Sequence, residues 1–122
     1  MPNHIHCIWQ IADELTREDF QRDFLKFTAR SIVKFMQMND DPLLQQLKVN
    51  ARDREHQLWE RNSLSIDLFT EEVLRQKLNY IHNNPLQPKW KLSATPEAYY
   101  YSSAAFYETG ISGFNFLTHY IR

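Results

Sequence analysis

Glycine occurs only at Gly110 and Gly113 in this chain of 122 residues, so no Gly-rich loop is available to cradle a phosphate. Punctuation falls to proline, at Pro42, Pro85, Pro88 and Pro96. The length suits one compact domain, 1–122, with 109–122 as a C-terminal tail. Hydrophobic residues at 43% and aromatics at 14% fit a folded core rather than a disordered polymer. The apolar runs are too short to span a membrane, and Met1-Pro2-Asn3-His4 opens no secretory signal. A cytoplasmic protein without a membrane partner is expected, and the single Cys7 agrees with that compartment. Fourteen Lys and Arg against 15 Asp and Glu give a net charge of −1, unlike the basic balance of a dedicated DNA-binding domain, so the local arrangement of charge has to decide.

Alternation over residues 4–11 predicts a strand. Period two sets His4, His6, Ile8 and Gln10 on one face and the apolar Ile5, Cys7, Trp9 and Ile11 on the other, which should be buried. A long helix is expected from Arg17 into the late thirties, opened by Thr16 with Asp19 three residues on. Phe20, Phe24, Leu25, Phe27, Ile32, Phe35 and Met36 give it an apolar stripe. Arg22, Lys26, Arg30 and Lys34, every fourth residue, give it a basic ridge. Asp41-Pro42 reads as an N-cap and first-turn proline of a short helix ending at Leu47. Lys48 to His56 is a charged loop. Leu58-Trp59-Glu60 and Leu64 to Leu68 fit strand, and a third helix follows Thr70 with Val73, Leu74, Leu78 and Ile81 inward. Pro85 disfavours helical geometry at Asn84 and should end that helix. Thr95-Pro96-Glu97 reads as a further cap before an aromatic cluster.

Several residues could carry chemistry. His4 and His6 can share one divalent cation, although two ligands do not make a site and a partly exposed histidine pair is equally an ordinary strand feature. On a helix, Tyr80 and Asn84 share a face. A phenol can attack phosphorus once its proton is removed and the phosphate is polarised, and an amide oxygen can complete a metal shell. The plain alternative is a half-buried tyrosine and a helix-ending asparagine. The basic ridge could follow a phosphate backbone or simply be a solvated face. Tyr99-Tyr100-Tyr101 and Trp90, the latter between Lys89 and Lys91, could stack unpaired bases or pack into a core.

Met1-Pro2-Asn3-His4-Ile5-His6 with Ile8-Trp9 resembles the His-hydrophobic-His motif of single-tyrosine HUH transposases. Trp59, the stretch Gln76-Lys77-Leu78-Asn79-Tyr80-Ile81-His82-Asn83-Asn84-Pro85, and Tyr99 to Ala104 with Phe106-Tyr107 are similar to the REP-associated branch of that family, over residues 1 to about 108. The resemblance implies an α+β, ferredoxin-like fold, an antiparallel sheet with helices on one face. It also implies that a strand, a helix and a strand, about 40 residues, precede the histidine motif, so the sheet should be incomplete, the chain shortened at its N-terminus and cleavage impaired. Leu86 to Trp90 departs from the family's usual Val-x-x-Gly-type continuation. Carried over, the pattern makes His4, His6 and Asn84 ligands of Mg²⁺ or Mn²⁺ and Tyr80 the nucleophile. It points to a transposase that cleaves and rejoins single-stranded hairpin DNA through a 5′-phosphotyrosine, in one chain or by helix exchange in a homodimer. Arg22, Lys26, Arg30 and Lys34 would contact the DNA. The competing expectations are a DNA-binding remnant or regulator without cleavage, and a structural protein whose histidines and tyrosines only pack.

Overall fold

Threonine hydroxyls start both long helices. In the structure, a computed structural model that describes residues 1–121, Thr16 Oγ1 accepts the Asp19 N–H at 3.1 Å and opens α1, Arg17–Met38. Thr70 Oγ1 accepts the Val73 N–H at 3.2 Å and opens α2, Glu71–Asn83, whose first turn carries Glu71 and Glu72 against the positive end of the helix dipole. Asp41 caps its segment as expected, taking the Leu43 N–H at 2.9 Å, but Pro42–Leu47 winds as a 3-10 helix rather than an α-helix. A 3-10 turn, Asn84–Leu86, continues α2. The short α3, Ala104–Thr109, starts after Ser103 and not at Thr95, where Pro96 opens only a turn. Gly110 ends α3 at φ 73°, a left-handed position that glycine adopts without steric cost, and donates its N–H to Phe106 O.

The expected α+β, ferredoxin-like sheet is absent among the described residues. Neither 4–11 nor 58–68 forms a ladder: 58–68 is interrupted by bends at Trp59 and at Arg61-Asn62, where Asn62 stands at φ 62°, and the only pairing among the described residues is an isolated antiparallel bridge between Lys48 and His56. That bridge closes the charged loop, with Val49 N donating to Glu55 O at 2.9 Å and Gln57 N to Leu47 O at 2.8 Å. The physical reason is that alternation prepares a segment for one face of a sheet, whereas a strand exists only where a second backbone takes up its N–H and C=O groups. The apolar side of 4–11 is correspondingly uncovered at Ile5, which is 51% exposed, and at Cys7.

Two compact units make up the chain. One comprises Trp9–Ser65 and contains α1. Within it Trp9 packs edge-on against Phe20 and tilted against Phe24, with ring centroids 4.8 and 5.3 Å away, and Trp59 Nε1 donates to Thr28 Oγ1 at 3.0 Å. Gln21 bonds Ser63. Met36 is buried, but Phe27, Ile32 and Phe35, expected in the apolar stripe, stand exposed, because periodicity aligns apolar side chains without supplying a partner surface.

The other unit joins Met1–Ile8 to the chain from Ile66 onward and contains α2 and α3. Its burial concentrates at the end of α2. Pro85 is fully buried, Asn84 is 5% exposed, and His82 and Ala104 are buried beside them. His82 Nε2 lies 2.9 Å from Ser103 Oγ, which ties α2 to the start of α3. Both units are lightly packed. The chain exposes 10121 Å², whereas dividing its 14.7 kDa between two independent globules would expose about 8,400 Å² in total.

Candidate active site

Pro85 does not push Asn84 out of helical geometry. Asn84 stays at φ −58°, ψ −42°, a conformation that a following proline disfavours, and the helical path therefore runs on through the 3-10 turn. Tyr80 and Asn84 consequently point the same way, one turn apart. Neighbouring residues are brought together at the N-terminal segment too. Even without a sheet, alternation brings His4 and His6 to one side, with ring centroids 5.0 Å apart.

These two local arrangements meet in one unit. Asn84 Nδ2 donates to His6 Nε2 at 3.0 Å and faces His4 Nε2 at 3.4 Å, across 78 and 80 residues of sequence. The Tyr80 ring stands edge-on to His6 with centroids 5.9 Å apart, and the tyrosine is 56% exposed. His4, His6, Tyr80 and Asn84 thus surround one small volume.

Protonation follows from the contacts. Asn3 Oδ1 lies 2.7 Å from His4 Nδ1, and an amide oxygen can only accept, so that nitrogen carries the proton and Nε2 the lone pair. Desolvation lowers the proton affinity of both imidazoles, and neighbouring positive charge acts in the same direction, Lys89 on His4 and His4 on His6. Both imidazoles are thus biased toward the neutral form, each with Nε2 facing the Asn84 amide.

A divalent cation has a partial donor set here. Among the described residues no group of three or more His, Cys, Asp or Glu side chains could hold a metal ion, so a third protein ligand has to come from outside those residue types. The Asn84 amide, facing both imidazoles, could supply one. It now presents its N–H₂ to the imidazoles, and a half-turn about its last bond would present Oδ1 instead. Two neutral imidazole nitrogens and one amide oxygen fit an ion that keeps waters and takes substrate phosphate oxygens as its remaining ligands. Asn3 supplies the outer hydrogen bond that commonly orients a ligating histidine.

The basic ridge divides. Arg22 is engaged with Asp19 at 2.6 Å and Asp23 at 3.0 Å, so its charge is largely answered within α1. Lys26, Arg30 and Lys34 lie exposed along the same helix, in the unit that does not contain the histidines.

Sequence reasoning passed over Asn3 and the His82–Ser103 tie. An asparagine beside a histidine is an orienting group that adjacency could have suggested, but nothing in one sequence links positions 21 residues apart. No protein-family model, curated protein or solved structure matches this chain, so its residues and their geometry carry the functional reading.

Proposed function

We propose that this chain is a single-tyrosine DNA strand-transfer protein of the HUH kind, acting on single-stranded or hairpin DNA. The observation that carries the reading is the approach of the exposed Tyr80 to a pair of neutral imidazoles that share one buried amide, His4 and His6 with Asn84. The motif order described above, His-Ile-His followed by Asn-Tyr-Ile-His-Asn-Asn-Pro, supports the same assignment.

In this reading Tyr80 is the nucleophile. Its oxygen forms a bond to phosphorus as the bond from phosphorus to the 3′-oxygen breaks, leaving a 5′-phosphotyrosine and a free 3′-hydroxyl. The bond energy is conserved in the adduct, so rejoining needs no nucleotide cofactor. His4, His6 and Asn84 would hold a Mg²⁺ or Mn²⁺ ion, which polarises the phosphate and offsets the charge that develops on it. Asn3 keeps His4 in the tautomer that leaves Nε2 available. Helical geometry carried through Asn84 keeps nucleophile and amide on one face.

The test is adduct formation. Incubated with a labelled single-stranded hairpin oligonucleotide and Mn²⁺, the protein should form a covalent protein–DNA species that resists denaturation, and Tyr80→Phe should bind the DNA but form none. Adduct from Tyr80→Phe would remove the nucleophile assignment. Salt-sensitive binding by the unaltered chain with no adduct would leave a DNA-binding regulator of the same design.

A further inference from the structure

Of the three tryptophans, two have evident work in the fold. Trp9 packs on Phe20 and Phe24, and Trp59 donates to Thr28. Trp90 is different. Its ring lies 5.5 Å from that of His4, tilted by 53°, and the Lys89 ammonium sits over it at 4.9 Å from the centroid. Like the other two it is half-buried, but its ring contacts are a polar histidine and a solvated cation.

The turn that presents it is well fixed. Gln87 O accepts both the Trp90 N–H at 2.8 Å and the Lys91 N–H at 3.0 Å, and the carbonyl of the buried Pro85 accepts the Leu92 N–H at 2.9 Å. Lys91 closes the turn at φ 47°, a left-handed conformation that costs a lysine more than a glycine. The backbone thus bears strain while holding an indole beside the histidine pair. Such a combination has more to do with a ligand than with a core.

Resting on the function proposed above, we infer that Trp90 is the stacking platform for the unpaired base next to the scissile phosphate, with Lys89 as its removable cover. An exposed ammonium over an indole is a weak contact, and a base stacked on an aromatic ring gains about two to three times as much free energy. The base therefore replaces the ammonium. Lys89 is exposed and flexible, and swings to the phosphate of the same nucleotide. Stacking is tolerant of base identity, so the platform sets the register of the strand over Tyr80 rather than its sequence.

The experiment is a double-mutant cycle between protein and DNA. Tyr80→Phe serves as the parent, so that binding is read without covalent trapping, and dissociation constants are measured by fluorescence anisotropy for a hairpin oligonucleotide with unpaired flanks. A series carries a single abasic site at each unpaired position. Trp90→Ala should weaken binding of the intact oligonucleotide roughly ten-fold. One abasic position should weaken the parent by a similar factor and cost Trp90→Ala nothing further. Trp90→Phe should retain most of the affinity and the coupling to that same position, which guards against a misfolded alanine variant. Lys89→Gln should lower the slope of log affinity against log salt by about 0.7, the share of one phosphate contact, while Trp90→Phe leaves the slope alone.

Unchanged affinity in Trp90→Ala, or losses that add at every abasic position, would overturn the platform. Failure of the underlying reading looks different. The chain with Tyr80 intact would then give no adduct, and coupling at Trp90 would show a stacking site in a non-cleaving binder. Absence of any single-strand binding by the parent would dispose of both.

Discussion

Replacing Asn84 by aspartate should reverse the sign of the chain's pH dependence. In the unaltered protein the amide N–H₂ donates to neutral imidazoles whose proton affinity is lowered by desolvation. A folded pKa below the unfolded 6.5 means that these histidines contribute stability above that pH, and lose it as pH falls through the folded value. Asn84→Asp inverts the contact. Near pH 8 it removes a donor, at a cost of about 1 kcal/mol, and sets a carboxylate at a position only 5% exposed against two lone pairs, for roughly 1–2 kcal/mol more.

Acidification then protonates an imidazole beside the new charge. At the 3.0 Å separation of Asn84 and His6, unit charges attract by about 1.4 kcal/mol in a water-like dielectric and about 5.5 kcal/mol at an effective value near 20. His6 is exposed, which puts the gain toward the lower figure, about 2 kcal/mol. An imidazole with a raised folded pKa contributes stability that is complete below 6.5 and lost as pH rises through the folded pKa. Urea unfolding followed by circular dichroism at about pH 8 and about pH 5.5 reads the difference. The parent should lose stability on acidification and Asn84→Asp should gain it. Parallel losses in the two proteins would refute the proposed contact between the amide and the imidazoles, and with it the three-ligand arrangement.

Three further outcomes follow from the same geometry. Thr70→Ala removes the cap that holds the Val73 N–H and should cost about 1 kcal/mol in thermal or urea unfolding, with no change in Tyr80 chemistry well below the melt, because Tyr80 sits near the opposite end of α2. His82→Gln should flatten part of the acid loss. Burial lowers the His82 pKa, with Glu97 only partly opposing, so the neutral ring contributes stability above 6.5 that fades below it, and glutamine can still bond Ser103 without ever charging. Neutralising Lys26, Arg30 and Lys34 one at a time should lower the salt slope of single-strand binding by about 0.7 for each that touches phosphate, whereas Arg22→Gln should change it less, its charge being engaged by Asp19 and Asp23.

What could be read from the sequence was local. Thr16, Asp41 and Thr70 marked their helices because a cap is a bond across two or three residues, whereas Pro85 did not turn Asn84 out of helical geometry, and the helical path continues as a 3-10 turn. The shared face of Tyr80 and Asn84, and that of His4 and His6, are likewise consequences of helical and extended backbone over a few residues. The sheet was misread because alternation at 4–11 and 64–68 describes a readiness to pair, and pairing needs a second backbone that no single segment specifies. Phe27 and Phe35 belong to the periodic apolar stripe of α1 and yet stand exposed, since periodicity locates a stripe but not what covers it. The approach of His4 and His6 to Asn84 spans most of the chain. Only the resemblance of the motifs suggested it, because no rule of composition or spacing reaches that far.

The way the histidines are held has a consequence of its own. A sheet would fix an imidazole pair through backbone ladders on both sides, at a cost met by folding. Here residues 4–6 lack a ladder, and among their described ties to α2 are side-chain contacts, chiefly the Asn84 amide to His6 and His4. A ligand that replaces those contacts with stronger ones does two things together: it fills the site and it fastens the N-terminal segment to the helix that bears Tyr80. Binding and local ordering then form one equilibrium, and whatever engages His4, His6 and Asn84 stabilises the segment in proportion to the logarithm of its concentration over its dissociation constant. Because the chain exposes more surface than two compact globules of its mass, there is little packing to oppose or replace that linkage.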